Sequence, residues 1–145
     1  MVELKRVERM IKGRCLCGAV RYEIDAEPIV TRTCWCRLCQ YLGGGGATVN
    51  VAFPAQAARI AGAPARYESV ADSGSHMVRS FCPTCGTPLF SEARERPHLI
   101  FVRAGTLDDP EVARPSMAIW TSAAPSWARI DPAIEQVERQ PPPAA

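Results

Sequence analysis

The chain has 145 residues, 47% of them apolar, and seven cysteines, which is the length of one ordinary domain with enough apolar material for a core. Its 17 basic and 15 acidic residues leave a formal charge of +2, and their spread along the chain supplies no electrostatic footprint for nucleic acid or an anionic membrane. Met1 to Lys12 alternate charged and apolar side chains without an apolar export segment, and no later apolar run reaches bilayer length, so a cytoplasmic protein is expected.

In chain order, Gly18 to Asp25 places Val20, Tyr22 and Ile24 on one face and Arg21, Glu23 and Asp25 on the other, the period of a half-buried strand. Ala47–Phe53, Arg66–Val70, His76–Phe81, Leu99–Arg103 and Met117–Trp120 are further strand candidates, rich in β-branched and aromatic residues and separated by turn chemistry. Helix signals are few. Pro54 can open one turn through Gln56, and Asp131 before Pro132 predicts a short helix containing Ile134 and Val137. The expected fold class is mainly β: a single domain of short antiparallel strands in packed sheets over residues 1–140. A Pro-rich, disordered tail is expected over 141–145.

The chemistry is concentrated in the cysteines. In a reducing cytosol clustered thiols point to metal or catalysis rather than to disulfides, and an odd number resists complete pairing. Cys15 and Cys17 form C-x-C, where an extended strand would offer both sulfurs on one face. Cys82 and Cys85 form C-x-x-C followed by Gly86, a turn that gathers two thiolates. Those four suit a closed structural zinc site, and Cys34, Cys36 and Cys39 suit a second zinc with an open position. Three thiolates make zinc a weak activator of water but a good holder of an incoming thiol as thiolate. The alternative is closure by a fourth ligand such as His76 or His98. Gly43 to Gly46 read equally as a surface for close approach of a small molecule or as a turn into the next strand.

The runs G-R-C-L-C-G-A-V-R-Y (13–22), C-x-C-x-x-C (34–39), R-S-F-C-P-T-C-G (79–86) and G-T-L-D-D-P (105–110) together resemble the glutathione-dependent formaldehyde-activating enzyme family, whose domain is shared with centromere protein V. The resemblance implies a structural zinc on Cys15, Cys17, Cys82 and Cys85 and a catalytic zinc on Cys34, Cys36 and Cys39. It also implies addition of the glutathione thiol to formaldehyde, giving S-hydroxymethylglutathione, formally a carbon–sulfur lyase run in reverse. Trp35 stands where many members carry histidine, and its indole can pack beside the pocket or stack on a substrate. Glutathione's carboxylates would favour arginine. Arg37, Arg79 and Arg103 are candidates that read first as surface or ion-paired residues.

The rival reading is a non-enzymatic, zinc-stabilised protein-binding module. A methionine sulfoxide reductase would need a redox cysteine outside the zinc motifs, and every cysteine is already in one. A small-molecule thiol and a small electrophile are the expected partners, with no nucleic acid and no membrane. The sequence assigns no oligomeric state.

Overall fold

The structure is a computed structural model that describes residues 10–144. The alternating pattern of residues 1–9 lies outside the described residues. Eleven strands are present among the described residues: β1 (Ile11–Arg14), β2 (Arg21–Ile24), β3 (Val30–Cys34), β4 (Thr48–Pro54), β5 (Ala58–Ala61), β6 (Ala65–Val70), β7 (His76–Phe81), β8 (Pro88–Ala93), β9 (Leu99–Arg103), β10 (Met117–Ile119) and β11 (Glu135–Gln136). Among the described residues a single α-helix, α1 (Arg37–Leu42), follows β3.

The strands form two sheets, a small one ordered β1-β2-β5 and a large one ordered β11-β10-β3-β4-β9-β8-β7-β6. Pairing is antiparallel except at β10, which runs parallel to both β3 and β11. The mainly β expectation therefore holds, with this parallel edge added.

Period-two alternation gives the large sheet two unlike faces. Val51 and Phe53 of β4, Ile100 and Val102 of β9 and Phe90 of β8 are buried with Val20, Tyr22 and Ile24 of the small-sheet region in one apolar cluster. Tyr22 meets Phe90 edge-on with ring centroids 5.2 Å apart. Each large apolar side chain so buried contributes about 1.5–3 kcal/mol. The intervening residues, Thr48 and Asn50 of β4 and Phe101 and Arg103 of β9, belong to the opposite face.

Of the two predicted helical turns, the first is a single 3-10 turn over Ala55–Ala57. The second is corrected. Asp131 does accept from the Ala133 amide at 2.9 Å, but the chain then extends as β11. The free edge of β10 captures it: Met117 pairs with Glu135, Ala118 with Gln136, and the Val137 amide donates to the Ala118 carbonyl at 2.8 Å. Edge pairing with an existing sheet satisfies the backbone groups that a one-turn helix would leave open. Further on, Pro141 is buried, and the Pro142 carbonyl lies 3.5 Å from Arg32 Nη2.

Candidate active site and metal centres

Cys15 and Cys17 sit in the turn that leaves β1, not on an extended strand as the sequence suggested. The turn closes through a Gly18 amide to Cys15 carbonyl bond of 3.1 Å, and the Val20 amide points at the Cys15 sulfur at 3.3 Å. A matching turn joins β7 and β8. There the Gly86 amide donates to the Cys82 carbonyl at 2.8 Å, and Gly86 takes φ +77°, which favours a residue without Cβ. A register shift at Ser80 and Phe81 ends the regular pairing of β7 just before Cys82.

These two turns bring four sulfurs within 4.8 Å of one another. Cys15 and Cys17 Sγ are 3.7 Å apart and Cys17 and Cys82 Sγ 3.8 Å. That is far beyond a disulfide. It matches the edge of about 3.8 Å expected for a tetrahedron whose corners lie about 2.3 Å from a central zinc. Thr87 joins the halves: its hydroxyl lies 3.1 Å from Cys85 Sγ and accepts from the Leu16 amide at 3.1 Å. The Thr87 hydroxyl is the main reason the Cys85 thiol is held down at about 5.

Cys34, Cys36 and Cys39 form the second group, all buried and also within 4.8 Å of one another. Cys34 ends β3, and Cys36 caps α1 with its sulfur accepting the Cys39 amide at 3.3 Å. Gln40 pins the helix by donating to the carbonyls of Trp35 at 2.8 Å and Ala123 at 3.0 Å. The Cys34 and Cys36 thiols, then Thr48 and the charge of Arg103, hold the Cys39 thiol near 2 against the effect of burial. The Cys36 and Cys39 thiols, followed by burial, push Cys34 strongly up. The cluster thus accepts one thiolate readily and resists further ones, which is the behaviour of a donor set that needs a cation to ionise fully.

Among the described residues no fourth His, Cys, Asp or Glu joins these three sulfurs. His76 is exposed and lies 2.6 Å from Glu95 Oε1, and His98 is exposed. The three cysteines instead border a cavity of about 120 Å³ on the large sheet's outer face, together with Arg32, Arg103 and Trp120. Trp35 lines a different depression and does not reach this cavity. The indole beside the thiols belongs to Trp120, whose φ of +56° is rare for a bulky residue. Sequence reading missed Trp120, since only the left-handed turn after β10 brings it there.

The glycine run forms the turn out of α1, with the Gly43 amide donating to the Cys39 carbonyl at 2.7 Å, and it does not line the cavity. Arg37 is exposed over the Tyr41 ring at 5.3 Å. Arg79 and Arg103 do line the cavity, and neither is ion-paired among the described residues. Their reading as surface or ion-paired residues is therefore corrected.

The sequence profile of the family described as glutathione-dependent formaldehyde-activating enzyme matches residues 10–123. A Halomonas elongata protein provisionally named a glutathione-dependent formaldehyde-activating enzyme is 28% identical over 129 residues, covering 84% of this chain and 82% of that protein. The crystal structure of a Rhodobacter sphaeroides protein superposes with a TM-score of 0.52 at 26% identity, covering 67% of this chain and 87% of that one. Since the profile spans both cysteine groups and the strands that present them, the chain belongs to the glutathione-dependent formaldehyde-activating enzyme family.

Proposed function

We propose that the chain is a carbon–sulfur lyase-type enzyme that binds two zinc ions and adds the glutathione thiol to formaldehyde, giving S-hydroxymethylglutathione. Cys15, Cys17, Cys82 and Cys85 hold the structural ion, and Cys34, Cys36 and Cys39 the catalytic one. The observation that carries this reading is the contrast between the groups. Four sulfurs close one site, whereas three border a cavity with no fourth ligating side chain among the described residues.

When bound by the three cysteines, zinc supplies a centre that keeps an incoming thiol deprotonated yet nucleophilic at neutral pH. The chain's residues do the rest. Gln40 and the Cys36 cap fix the three donors in place. The Arg103 guanidinium, one positive charge near the sulfurs, offsets their negative charge. Trp120 walls the cavity. In the reaction the sulfur–carbon bond forms as the carbonyl π bond breaks, and the proton lost by the thiol ends on the former carbonyl oxygen.

The test is the rate of adduct formation, followed by NMR exchange between formaldehyde and glutathione. The zinc-loaded protein is expected to raise that rate in proportion to its concentration, and Cys39→Ala to abolish the increase while the four-cysteine site keeps its zinc. A rate equal to buffer alone would refute the reading in favour of a non-enzymatic module.

A further inference from the structure

The cavity beside the three cysteines carries more positive charge than the addition of a thiol to formaldehyde can use. Arg32, Arg79, Arg96 and Arg103 all line it, and Asp72 is the one acidic side chain among its lining residues. Among the described residues the ion pairs are Lys12 with Glu23, His76 with Glu95 and Arg94 with Glu68, so none of the four guanidiniums is in a contact ion pair, and Glu135 acts on Arg32 only through its charge. Each instead donates to a neutral oxygen: Arg32 to the Pro142 carbonyl at 3.5 Å, Arg79 to the Ser69 hydroxyl, Arg96 to the Ser75 hydroxyl at 3.1 Å and Arg103 to the Asn50 side chain. A guanidinium carries five donors. Arg32 Nε and Arg103 Nε are buried without a hydrogen-bond partner, and Arg103 is only 9% exposed. Buried guanidinium donors left without a hydrogen bond are costly, so a cavity that gathers them favours an anionic ligand.

Strand register says where that anion sits. Arg32, Asn50 and Arg103 stand in one row across β3, β4 and β9, a two-residue step from the row of Cys34 and Thr48. Such a step is about 7 Å. Arg79 stands in the next row, with Ser91 and Phe101. Arg79 and Arg103 are close enough to repel, which an anion between them would relieve. The cysteines themselves absorb little of this charge. Three thiolates around a divalent cation carry about one negative charge, which Arg103 alone offsets.

We infer that the cavity is a carboxylate-binding site, in which Arg32 and Arg103 hold a carboxylate of the substrate at about one two-residue step from the thiols and Arg79 and Arg96 extend the cationic wall outward. Formaldehyde is neutral and cannot engage it, so the carboxylate arrives on the thiol, as in glutathione, or on an aldehyde acid such as glyoxylate. The inference rests on the proposed thiol chemistry only for the reactive end of the ligand.

Calorimetric titration of the zinc-loaded full chain separates the possibilities, using 3-mercaptopropionate, 2-mercaptoethanol, S-methylglutathione and glyoxylate as probes. Wild type and Arg79→Gln are compared, with Arg32→Gln as a second variant, each accepted only if zinc content and melting temperature match wild type. Arg79 is half-buried and bonded to one hydroxyl, so Arg79→Gln is the safer test of folding. The expected result is that 3-mercaptopropionate binds at least about tenfold tighter than 2-mercaptoethanol and that the arginine variants remove the preference. Arginine-dependent binding of glyoxylate, with the two mercaptans equal, also supports the inference and places the carboxylate on the aldehyde. Arginine-dependent binding of S-methylglutathione as strong as that of 3-mercaptopropionate keeps the carboxylate site but overturns the thiol reading. Equal mercaptans with no arginine-dependent binding of glyoxylate or S-methylglutathione overturns the inference and leaves the thiol reading standing. Absence of binding by all four probes overturns it as well.

Discussion

A chain of three hydroxyl and carbonyl groups links the small sheet to the arginine strand. Tyr22 Oη lies 2.7 Å from Thr106 Oγ1, which donates to the Arg103 carbonyl at 2.8 Å. Burial pushes the Tyr22 phenol well up, so it stays protonated across the working range. Tyr22→Phe keeps the ring contact with Phe90 and removes one buried hydrogen bond, and is expected to cost about 0.5–1.5 kcal/mol in denaturant unfolding. Gly13 packs directly beneath the same tyrosine: a Cβ there would lie 2.2 Å from Tyr22 Oη and 2.4 Å from the Thr106 carbonyl. Because one of those atoms is backbone, Gly13→Ala is expected to destabilise by about 1–3 kcal/mol or more, read from the same unfolding curves. At this scale the cysteines were fully legible, since spacing alone groups C-x-C, C-x-x-C and C-x-C-x-x-C. The arginines were not. Arg32 and Arg103 are 71 positions apart in sequence and meet only through the register of β3, β4 and β9.

Among elements, the turn joining β7 and β8 decides how firmly the four-cysteine site is held. Thr87 touches Cys85 and the Leu16 amide together, and so orients ligands from both halves of the site. Outer-shell partners of this kind are worth about ten- to a hundredfold in metal affinity. Thr87→Val is therefore expected to weaken zinc at the four-cysteine site by that factor, measured by chelator competition, with the three-cysteine site unaffected. The strands rich in β-branched and aromatic residues were legible: β7 and β9 have the predicted ends, and β4, β6 and β10 shift by a residue, whereas β2 keeps only Arg21–Ile24 of the alternating run Gly18 to Asp25. The short ones were not. β1 is four residues with a glycine inside it, β8 opens on Pro88, and α1 is capped by a cysteine rather than by Ser, Thr, Asp or Asn. The misread segment after Asp131 shows a tertiary edge overriding a local capping signal.

For the whole molecule, the four-cysteine site ties the turn after β1 to the turn joining β7 and β8, across the apolar cluster shared by the two sheets. Structural zinc in small peptides contributes about 10–16 kcal/mol of apparent binding energy, against a net domain stability of about 5–15 kcal/mol. Cys82→Ser is accordingly expected to lose that ion and the cooperative thermal transition together, with zinc content and melting temperature as readouts. Acid should act in the same way, because protons compete for the thiolates: zinc release and unfolding are expected to coincide on lowering the pH. Retention of the transition in zinc-free protein would show that the apolar cluster suffices alone. The central claim concerns the other cluster, that its three thiolates leave room for a fourth from the substrate. Loading the protein with cobalt in place of zinc and following the sulfur-to-metal absorption during titration tests it most directly. The account predicts that glutathione strengthens and shifts that band to saturation while S-methylglutathione, which has no thiol to offer, leaves it unchanged. A spectrum indifferent to both would contradict it and mark the second cluster as closed.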